Sequence, residues 1–403
     1  MSAAENQVTE RDIALWRDET PLVAAGRIHL NNAGAAAMPR SVVARIERHL
    51  RLESKLGGYE AADAVAEEVE AAYREIGGVI AAPARNVALV ENATAAYAQA
   101  MSAFDWAPGD AIVTTRNDYV SNQLHFLALA KRRGVVVHHA EDRPEGGVDP
   151  EALADLVASA RPKLVSLSLI PTNSGLVQDG EAVGEACRAA GVPYLVDGCQ
   201  AVGQIPVDVG ALGCDFFCAT ARKFLRGPRG MGFLYVSDAM LESGREPLAI
   251  DLRGAEWTGP ADYRPVASAR RFENWELPYA LVLGLGEAAR YARAAGIERT
   301  AARAAGLAAF ARACLAARPW ARVLDRGARL AAIVSVEVRG VDAAGLQHEL
   351  RRRGVHLGAT DRASALLDMD AKGAAGATRI SPHYFNTEAE IEAAIAAIDE
   401  VVS

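Results

Sequence analysis

The sequence predicts an α/β protein, in which helices cover a large and mainly parallel sheet, followed by a smaller α+β domain. Up to about residue 251, short apolar runs alternate with helical stretches, which is typical of a parallel sheet wrapped by helices. Beyond that point, long Ala/Arg-rich helices and widely separated strands replace the alternation. At 403 residues, of which 51% are hydrophobic, the chain is long enough for two or more domains.

The apolar runs predict the strands of the large sheet in order, at residues 87–90, 111–113, 135–137, 164–169, 193–196, 215–219 and 232–236. Helical stretches lie between them, such as 181–190, which ends at a glycine with a proline shortly after it. In the second part, a helix at 297–318 precedes strands at 331–336 and 354–357, with a further helix between the strands. We expect an N-terminal segment (1–28), a large domain (29–260) and a small C-terminal domain (261–403).

Composition limits the class of protein. A net charge of −8 and a pI near 5.6 imply no nucleic-acid or anionic-membrane partner. The polar N-terminus lacks the apolar core of a signal peptide, and no stretch approaches the ~18 apolar residues that span a bilayer, so we expect a cytoplasmic protein. The odd number of cysteines, five, argues against a disulfide framework. The histidines form no HxxxH or HExxH pattern, so no metal site is expected.

Two residues at the ends of consecutive predicted strands suggest the chemistry. Lys223 lies between an apolar strand and a Gly/Pro-rich loop, where a desolvated amine loses proton affinity and can form a Schiff base. Asp197 follows the strand 193–196 and would point into the crevice at the carboxyl edge of the sheet. A carboxylate there can keep a pyridine nitrogen protonated, as pyridoxal phosphate (PLP) enzymes require. A lysine before a turn and a helix cap are the plain alternatives, but the pair predicts a PLP site.

Further motifs accompany this pair: HLNNAG at 29–34, ENAT at 91–94, DYVSN at 118–122, PTNSG at 171–175 and RISPHYFNTE at 379–388. In this order, with Asp197 and Lys223 in place, they resemble the class-V aminotransferase family of fold-type I PLP enzymes. That family includes cysteine desulfurases, isopenicillin N epimerase and the C–S lyase of ergothioneine synthesis. The resemblance covers about residues 28–391. It implies the fold-type I transferase fold, with the large domain binding PLP, and a homodimer with shared active sites.

The resemblance also implies how the chain would hold the phosphate of PLP. A phosphate needs backbone N–H groups at a helix start together with hydroxyl or cationic donors. In this subunit those donors would come from Asn92, Ala93, Thr94, Thr220 and Arg222. Phosphate donors in this family can also come from the other subunit, for which the segment 254–258, with Trp257 and Thr258, is the implied source. For Asn92 and Thr94 a plain helix cap remains the alternative.

Around the cofactor ring, Tyr119 would stack on the pyridine, at the position where cysteine desulfurases have a histidine that also shuttles protons. Gln200 would donate to the phenolic oxygen, with Thr172 or Asn173 close by. Cys199 would lie beneath the ring, where an inert spacer is the favoured interpretation. Ordinary core packing is the alternative for Tyr119.

Arg379 matches the family arginine that binds the α-carboxylate of the substrate with a bidentate fork. Asn32 and Ala33 would line the same pocket, and a surface ion pair is the alternative for Arg379. The loop 360–368 covers the region where desulfurases present a mobile nucleophilic cysteine, and it contains no cysteine. We therefore expect that the protein is not a cysteine desulfurase of the persulfide type.

The predicted function is that of a PLP-dependent enzyme acting on an α-amino acid through an external aldimine. Lys223 would remove the α-proton, and Asp197 and Tyr119 complete the predicted catalytic residues. β-Elimination of the C–S lyase type is favoured, with epimerisation or racemisation and transamination as alternatives. A non-catalytic PLP-fold binding protein is disfavoured by the intact Lys223, Asp197 and Arg379. A nucleotide-dependent oxidoreductase is disfavoured because the chain has no GxGxxG between a strand and a helix and no Walker A lysine.

Overall fold

The structure, a computed structural model, describes residues 7–403. Residues 1–6 lie outside the described residues, and with them the start of the predicted segment 1–28 and most of the polar N-terminal stretch.

Strands and helices alternate along the described chain. The strands are β1 (Ile28–His29), β2 (Val87–Val90), β3 (Ala111–Thr115), β4 (Val136–Ala140), β5 (Leu164–Ser168), β6 (Tyr194–Asp197), β7 (Phe216–Thr220), β8 (Gly232–Val236), β9 (Ala255–Gly259), β10 (Asp262–Pro265), β11 (Ala321–Val323), β12 (Val334–Val338), β13 (Val355–His356), β14 (Gly358–Asp361) and β15 (Gly376–Ile380). The helices are α1 (Glu10–Asp18), α2 (Pro21–Ala24), α3 (Asn32–Ala35), α4 (Arg40–Leu56), α5 (Gly58–Ala64), α6 (Ala66–Gly78), α7 (Ala93–Ser102), α8 (Val120–Arg133), α9 (Pro150–Ala160), α10 (Gly180–Ala190), α11 (Val209–Leu212), α12 (Asp238–Glu242), α13 (Tyr279–Ala295), α14 (Ile297–Ala316), α15 (Ala343–Arg352), α16 (Leu366–Lys372) and α17 (Glu388–Val402).

The large sheet has seven strands in the order β2-β8-β7-β6-β5-β3-β4. Neighbours from β4 to β7 run parallel, whereas β8 is antiparallel to both β7 and β2. The prediction of a mainly parallel sheet is therefore confirmed. Because the carboxyl ends of β3, β5, β6 and β7 meet at one edge, the polar residues that follow these strands gather there.

Both faces of this sheet are covered, which explains why its strands are apolar throughout. In β7, Phe216 and Cys218 belong to the core beneath α7 and α8, whereas Phe217 and Ala219 belong to the core on the opposite face. Successive side chains of a strand point to opposite faces, so one apolar run supplies both cores. A parallel sheet between two helical layers is the architecture that the alternation predicted.

A second, antiparallel sheet of order β11-β12-β15-β14 forms in the C-terminal part of the chain. The chain also returns to its beginning there, because β1 pairs in parallel with β13 and Asn31 bridges to Ser381. These pairings bring the motif 29–34 next to Arg379. The domain bounds 28/29 and 260/261 remain a prediction.

None of the helices between residues 7 and 403 is both long and apolar enough to cross a membrane.

Candidate active site

Lys223 lies in the loop that connects β7 to β8, at the edge of the sheet where the parallel strands end. Its side chain is buried, with 7% exposed. Burial lowers the pKa of Lys223, which Cys199 and Asp197 oppose and the cations Arg222 and Arg379 reinforce. An amine with a lowered pKa is available as a nucleophile and as a base.

Asp197 ends β6, one strand away from Lys223, and is paired in register with Cys218 of β7. The carboxylate is buried and accepts a hydrogen bond on each oxygen, from Asn122 Nδ2 at 3.1 Å and from the backbone N–H of Cys199 at 2.9 Å. These bonds fix its orientation at the carboxyl edge of the sheet. The structure therefore places Asp197 and Lys223 in one crevice, close enough for the carboxylate to act on the pKa of the amine.

Tyr119 lies immediately before α8 and completes this group. The Lys223 Nζ is 5.7 Å from the centroid of its ring. Its backbone N–H donates to Asp118 Oδ1 at 2.7 Å and to Ser168 Oγ at 3.1 Å, so its position is set by the ends of two strands. The ring, the amine and the Asp197 carboxylate thus lie together at this edge of the sheet, as a stacked pyridine ring would require.

The predicted phosphate residues lie at the start of α7. Asn92 caps this helix, its Oδ1 accepting from the backbone N–H of Ala95 at 2.9 Å, and Ala93 and Thr94 form the first turn. Thr220 pairs with Gly232, and Gly232 pairs with Val90 two residues before Asn92.

Gly232 is necessary for this close approach. A Cβ at this position would lie 2.7 Å from the Asn92 carbonyl carbon and 2.9 Å from the Ala93 nitrogen. The helix start and the end of β7 with Thr220 consequently approach each other, and the Thr220 hydroxyl donates to the Met231 backbone oxygen at 3.4 Å. A helix start beside a hydroxyl residue fits an anion site.

The other predicted phosphate residues are placed differently. Arg222 directs Nη1 to the backbone oxygen of Gly34, and burial lowers the pKa of its guanidinium. Trp257 and Thr258 lie on the exposed hairpin of β9 and β10, with 80% of Trp257 exposed. A contribution of this hairpin to the site of a second subunit remains a prediction.

Arg379, on β15, is a buried cation with free donors. Its Nη1 donates to the Thr172 backbone oxygen at 2.6 Å and to Thr172 Oγ1 at 3.1 Å, whereas its Nε has no partner. Burial lowers the pKa of Arg379 to about 10, and no carboxylate of the described chain acts on it. A buried, unpaired guanidinium is costly unless a ligand neutralises it, so the site fits an anionic substrate.

Space for such a ligand is preserved beside Arg379 by Gly358. A Cβ at this position would lie 2.8 Å from Asn31 Oδ1 and 3.1 Å from both Nε and Nη2 of Arg379. The glycine therefore keeps two donors of the guanidinium free of steric contact.

Asn32 and Gln200 present unpaired oxygens in the same region. Asn32 Nδ2 donates to the Ser381 backbone oxygen at 2.8 Å, and Gln200 Nε2 donates to the backbone oxygen of Ala33 at 3.1 Å and to Thr172 Oγ1 at 3.2 Å. The Oδ1 of Asn32 and the Oε1 of Gln200 are buried without partners. Buried polar atoms normally have partners, so these orphans indicate a polar ligand.

These features together fit PLP and an amino acid. A lysine amine, a carboxylate for the ring nitrogen, a helix start for the phosphate and an arginine for a carboxylate are the donors and acceptors such a pair needs. One predicted neighbour is placed differently, since Asn173 donates to Asp368 Oδ2 at 2.6 Å. Cys199 lies beside Asp197 and Lys223, and burial raises the pKa of its thiol. The thiol is thus kept protonated, and its role remains a prediction.

Sequence reasoning missed two buried residues. Asp118, which the sequence indicates only as part of the motif 118–122, is a buried carboxylate that accepts hydrogen bonds from the hydroxyls of Thr114, Ser166 and Ser168. Arg226, in the loop after Lys223, donates to the Ala37 backbone oxygen at 2.9 Å and to Tyr384 Oη at 2.7 Å, anchoring that loop. Asp118 lies just beyond the end of a strand, as Asp197 does, and that position could have indicated a site residue. The sequence does not indicate that Arg226 is buried, because an arginine in a Gly/Pro-rich loop is normally exposed.

Comparisons with known proteins agree with this geometry. The family model "Aminotransferase class-V" matches residues 28–394. A protein named "Probable cysteine desulfurase" from Methanothermobacter thermautotrophicus is 26% identical over 397 residues, covering 97% of this chain and 96% of the relative. A "Probable hercynylcysteine sulfoxide lyase" from Mycobacterium tuberculosis is 27% identical over 384 residues, with 94% and 90% covered.

Solved structures share the fold. A cysteine desulfurase from Escherichia coli superposes with a TM-score of 0.88 at 22% identity, covering 98% of this chain and 99% of its own. A variant of the protein C-DES, solved with glycine covalently linked to its PLP cofactor, has a TM-score of 0.84 at 21% identity, with 94% and 98% covered. The fold-type I architecture is therefore confirmed, and the family match over residues 28–394 confirms PLP as the cofactor.

One expectation is wrong. We expected that the protein is not a persulfide-type cysteine desulfurase, but several relatives over nearly the whole chain and two of the structural neighbours are named cysteine desulfurases. The expectation depended on one loop, 360–368, and ignored the rest of the site. Cys199 lies within the site, close enough to Asp197 and Lys223 for their charges to act on its thiol. A missing cysteine in one loop is too local a feature to exclude a reaction class.

Proposed function

This chain belongs to the class-V aminotransferase family of PLP enzymes, and from that premise we propose that it cleaves the C–S bond of a sulfur-containing α-amino acid by β-elimination. The observation that carries the proposal is a buried amine, Lys223, beside a buried carboxylate, Asp197, in a site that also contains an unpaired arginine, Arg379. The names of the two relatives, a desulfurase and a sulfoxide lyase, support cleavage at sulfur.

Five parts of the chain would hold the cofactor. Lys223 would hold it covalently through Nζ, Asp197 would accept from its ring nitrogen, and Tyr119 would cover one ring face. The start of α7 and the Thr220 hydroxyl would hold its phosphate. When bound, PLP withdraws electrons from the α-carbon of an amino acid and so acidifies the proton there.

The substrate would then be held by groups that the chain leaves unpaired. Arg379 has free donors for the α-carboxylate, and its bonds to Thr172 fix the direction of the guanidinium fork. Lys223 Nζ, with its pKa lowered by burial, takes the α-proton and holds it. The enclosed position of Lys223 keeps competing water from that proton.

β-Elimination follows if the group on Cβ can leave. The α-proton goes to Lys223 Nζ, and the Cβ–S bond breaks with its electron pair going to sulfur. Hydrolysis of the remaining carbon skeleton gives pyruvate and ammonia. Epimerisation or racemisation would return the proton to the opposite face, and transamination would leave a keto acid without free ammonia; both use the same residues.

We also propose that the enzyme works as a homodimer. The segment from β9 towards its preceding loop exposes large apolar side chains, with Leu248 83% and Leu252 64% exposed in addition to Trp257. Exposed apolar patches of this kind are typical of protein interfaces. If a second copy of the chain covers these side chains, Trp257 and Thr258 of the first subunit would lie near the phosphate site of the second subunit. A cytoplasmic location remains a prediction.

Product analysis tests the reaction. Purified protein loaded with PLP is incubated with cysteine, cystine, an S-alkyl cysteine sulfoxide and, as a control without sulfur, alanine. We expect pyruvate and ammonia in equal amounts from at least one sulfur substrate, none from alanine, and none from Lys223→Ala.

Each other result overturns β-elimination in a defined way. Inverted configuration without pyruvate indicates an epimerase, and keto acid without ammonia indicates an aminotransferase. Alanine together with transferred sulfur indicates desulfuration. A protein whose PLP absorption responds to an amino acid with no product formed would be a binding protein.

A further inference from the structure

Asp118 is a buried carboxylate that the proposed reaction does not use. It lies between the end of β3 and the start of α8, with 4% exposed. Its Oδ2 accepts from Thr114 Oγ1 at 2.7 Å and from Ser166 Oγ at 3.3 Å, and its Oδ1 accepts from Ser168 Oγ. Three hydroxyls from two strands therefore meet on one side chain.

Two further donors connect Asp118 to the site. The backbone N–H of Tyr119 donates to Oδ1 at 2.7 Å, and Asn122 Nδ2 donates to the same oxygen at 3.0 Å. Asn122 Nδ2 also donates to Asp197 Oδ2 at 3.1 Å. One amide nitrogen thus uses its two hydrogens to join the two carboxylates, and the residue that carries the stacking ring is bonded to the same centre.

The surroundings favour a carboxylate at this point. Every group that contacts Asp118 here can donate, and an ionised carboxylate only accepts. The residue also precedes the first turn of α8, where a negative charge is favourable. Burial raises the pKa of Asp118, and the hydrogen bonds from Ser168, Thr114 and Asn122 oppose that rise.

Burying the Asp118 carboxylate costs free energy that an uncharged side chain at the same position would not cost. Two carboxylates placed this close repel each other, and Asp197 adds to the rise in the pKa of Asp118. The folded chain keeps the two carboxylates together despite this energetic cost. That is typical of a site in which the position of a functional group, here Asp197, is maintained at the expense of stability.

We propose that Asp118 is a positioning residue that, through Asn122 and the backbone of Tyr119, holds the ring-nitrogen carboxylate Asp197 and the stacking ring in the relative placement that PLP requires. The proposal rests on the proposed function, because it assigns both partners to the cofactor. It concerns how tightly and how rigidly the ring is held, and Asp118 itself does not touch it.

The test compares Asp118→Asn, Asn122→Ala and a matched control, Asp215→Asn. Asp215 is also a partly buried carboxylate with two donors, Tyr194 N–H at 3.0 Å and Ser237 Oγ at 3.1 Å, but it precedes β7 at the opposite edge of the sheet. Each apoprotein is titrated with PLP by fluorescence quenching. The visible circular dichroism per bound PLP and the melting temperature of the apoprotein are measured as well.

We expect the dissociation constant for PLP to rise about tenfold in both test variants, the effect of one hydrogen bond to a charged group. The visible dichroism per bound PLP should fall, because a loosely held ring loses its fixed asymmetric environment. Asp215→Asn should lower the melting temperature and leave both cofactor readouts unchanged. If Asp118→Asn does not fold, Asn122→Ala still breaks the bridge while leaving the four other bonds of Asp118 in place.

The inference is overturned if Asp118→Asn folds and binds PLP as tightly as the wild type with unchanged dichroism, whatever the effect of Asn122→Ala, or if the test variants change only as Asp215→Asn does. Wild-type protein that binds no PLP would instead overturn the proposed function, since that failure appears before any variant is made.

Discussion

Replacing Arg379 by methionine should stabilise the apoprotein and at the same time remove its preference for α-carboxylates. Burial lowers the pKa of Arg379 from its ordinary value to about 10, so the folded state carries the charge at a cost on the order of 3 kcal/mol. The pKa is lowered on folding, so this cost is present in full at pH 7, begins to fall only above about pH 10 and disappears only above the ordinary pKa of arginine. Methionine is uncharged and reaches about as far as the Nε of the arginine, and the bonds to Thr172 that are lost offset part of the gain. We expect a net rise in the free energy of unfolding of about 1–3 kcal/mol.

Chemical denaturation of the apoproteins measures this rise, and Arg318→Met is the control. Arg318 is a half-exposed arginine paired with Asp399 at 3.0 Å, and its replacement should change stability by no more than about 0.5 kcal/mol. In the PLP-loaded enzyme, Arg379→Met should lower kcat/KM for amino acids roughly 30- to 1,000-fold, and much less for amines without a carboxylate. If Arg379→Met makes the apoprotein less stable, or leaves the preference for carboxylates unaltered, then Arg379 is not an unpaired cation that binds the substrate carboxylate.

Three further perturbations test other parts of the account. Asp197→Asn should weaken PLP binding and slow deuterium exchange at the substrate Cα on the order of tenfold, since it removes a charge-assisted bond; unchanged exchange would speak against its role. Gly358→Ala should raise the KM for carboxylate substrates with little change in kcat, because its Cβ would press on the Arg379 guanidinium; an unchanged KM would show that the space is not used. Burial lowers the pKa of His29 to about 4. Between pH 6.5 and 4 the unfolded state therefore binds a proton that the folded state does not bind, and the free energy of unfolding falls by up to about 3 kcal/mol over that range. His29→Gln should therefore flatten the acid side of the stability profile, whereas the same change at the exposed His348 should not, and parallel profiles would refute this.

The sequence predicts the architecture because buried parallel strands are continuous apolar runs with polar residues at their ends. That pattern alone predicts that Lys223 and Asp197 lie at one edge of the sheet. It does not give strand direction, and β8 runs antiparallel to its neighbours although its apolar run resembles those of the parallel strands. Ends of strands are also poorly marked, since β4 starts one residue later than the predicted run and continues through His138 and His139.

The sequence does not predict the role of two buried charged residues, Asp118 and Arg226, because their partners come together only in the folded chain. Asp118 is held by hydroxyls from β3 and β5, which only the folded sheet brings together. Arg226 is held by Ala37 and Tyr384, far apart in the chain. Whether the Arg379 guanidinium has donors without partners likewise depends on its neighbours in the folded chain. The order of the motifs indicates its role but does not show those neighbours.

The central claim, that Lys223 holds PLP in this crevice, can be tested by trapping the linkage chemically. The chain has five lysines, at positions 55, 131, 163, 223 and 372. Borohydride reduction of the PLP-loaded wild type, followed by peptide mass spectrometry, should find one phosphopyridoxyl group per chain, on Lys223. The Lys163→Ala control should give the same adduct, and Lys223→Ala should give none. A stoichiometric adduct on any other lysine of the wild type, or no adduct on Lys223, would contradict the account.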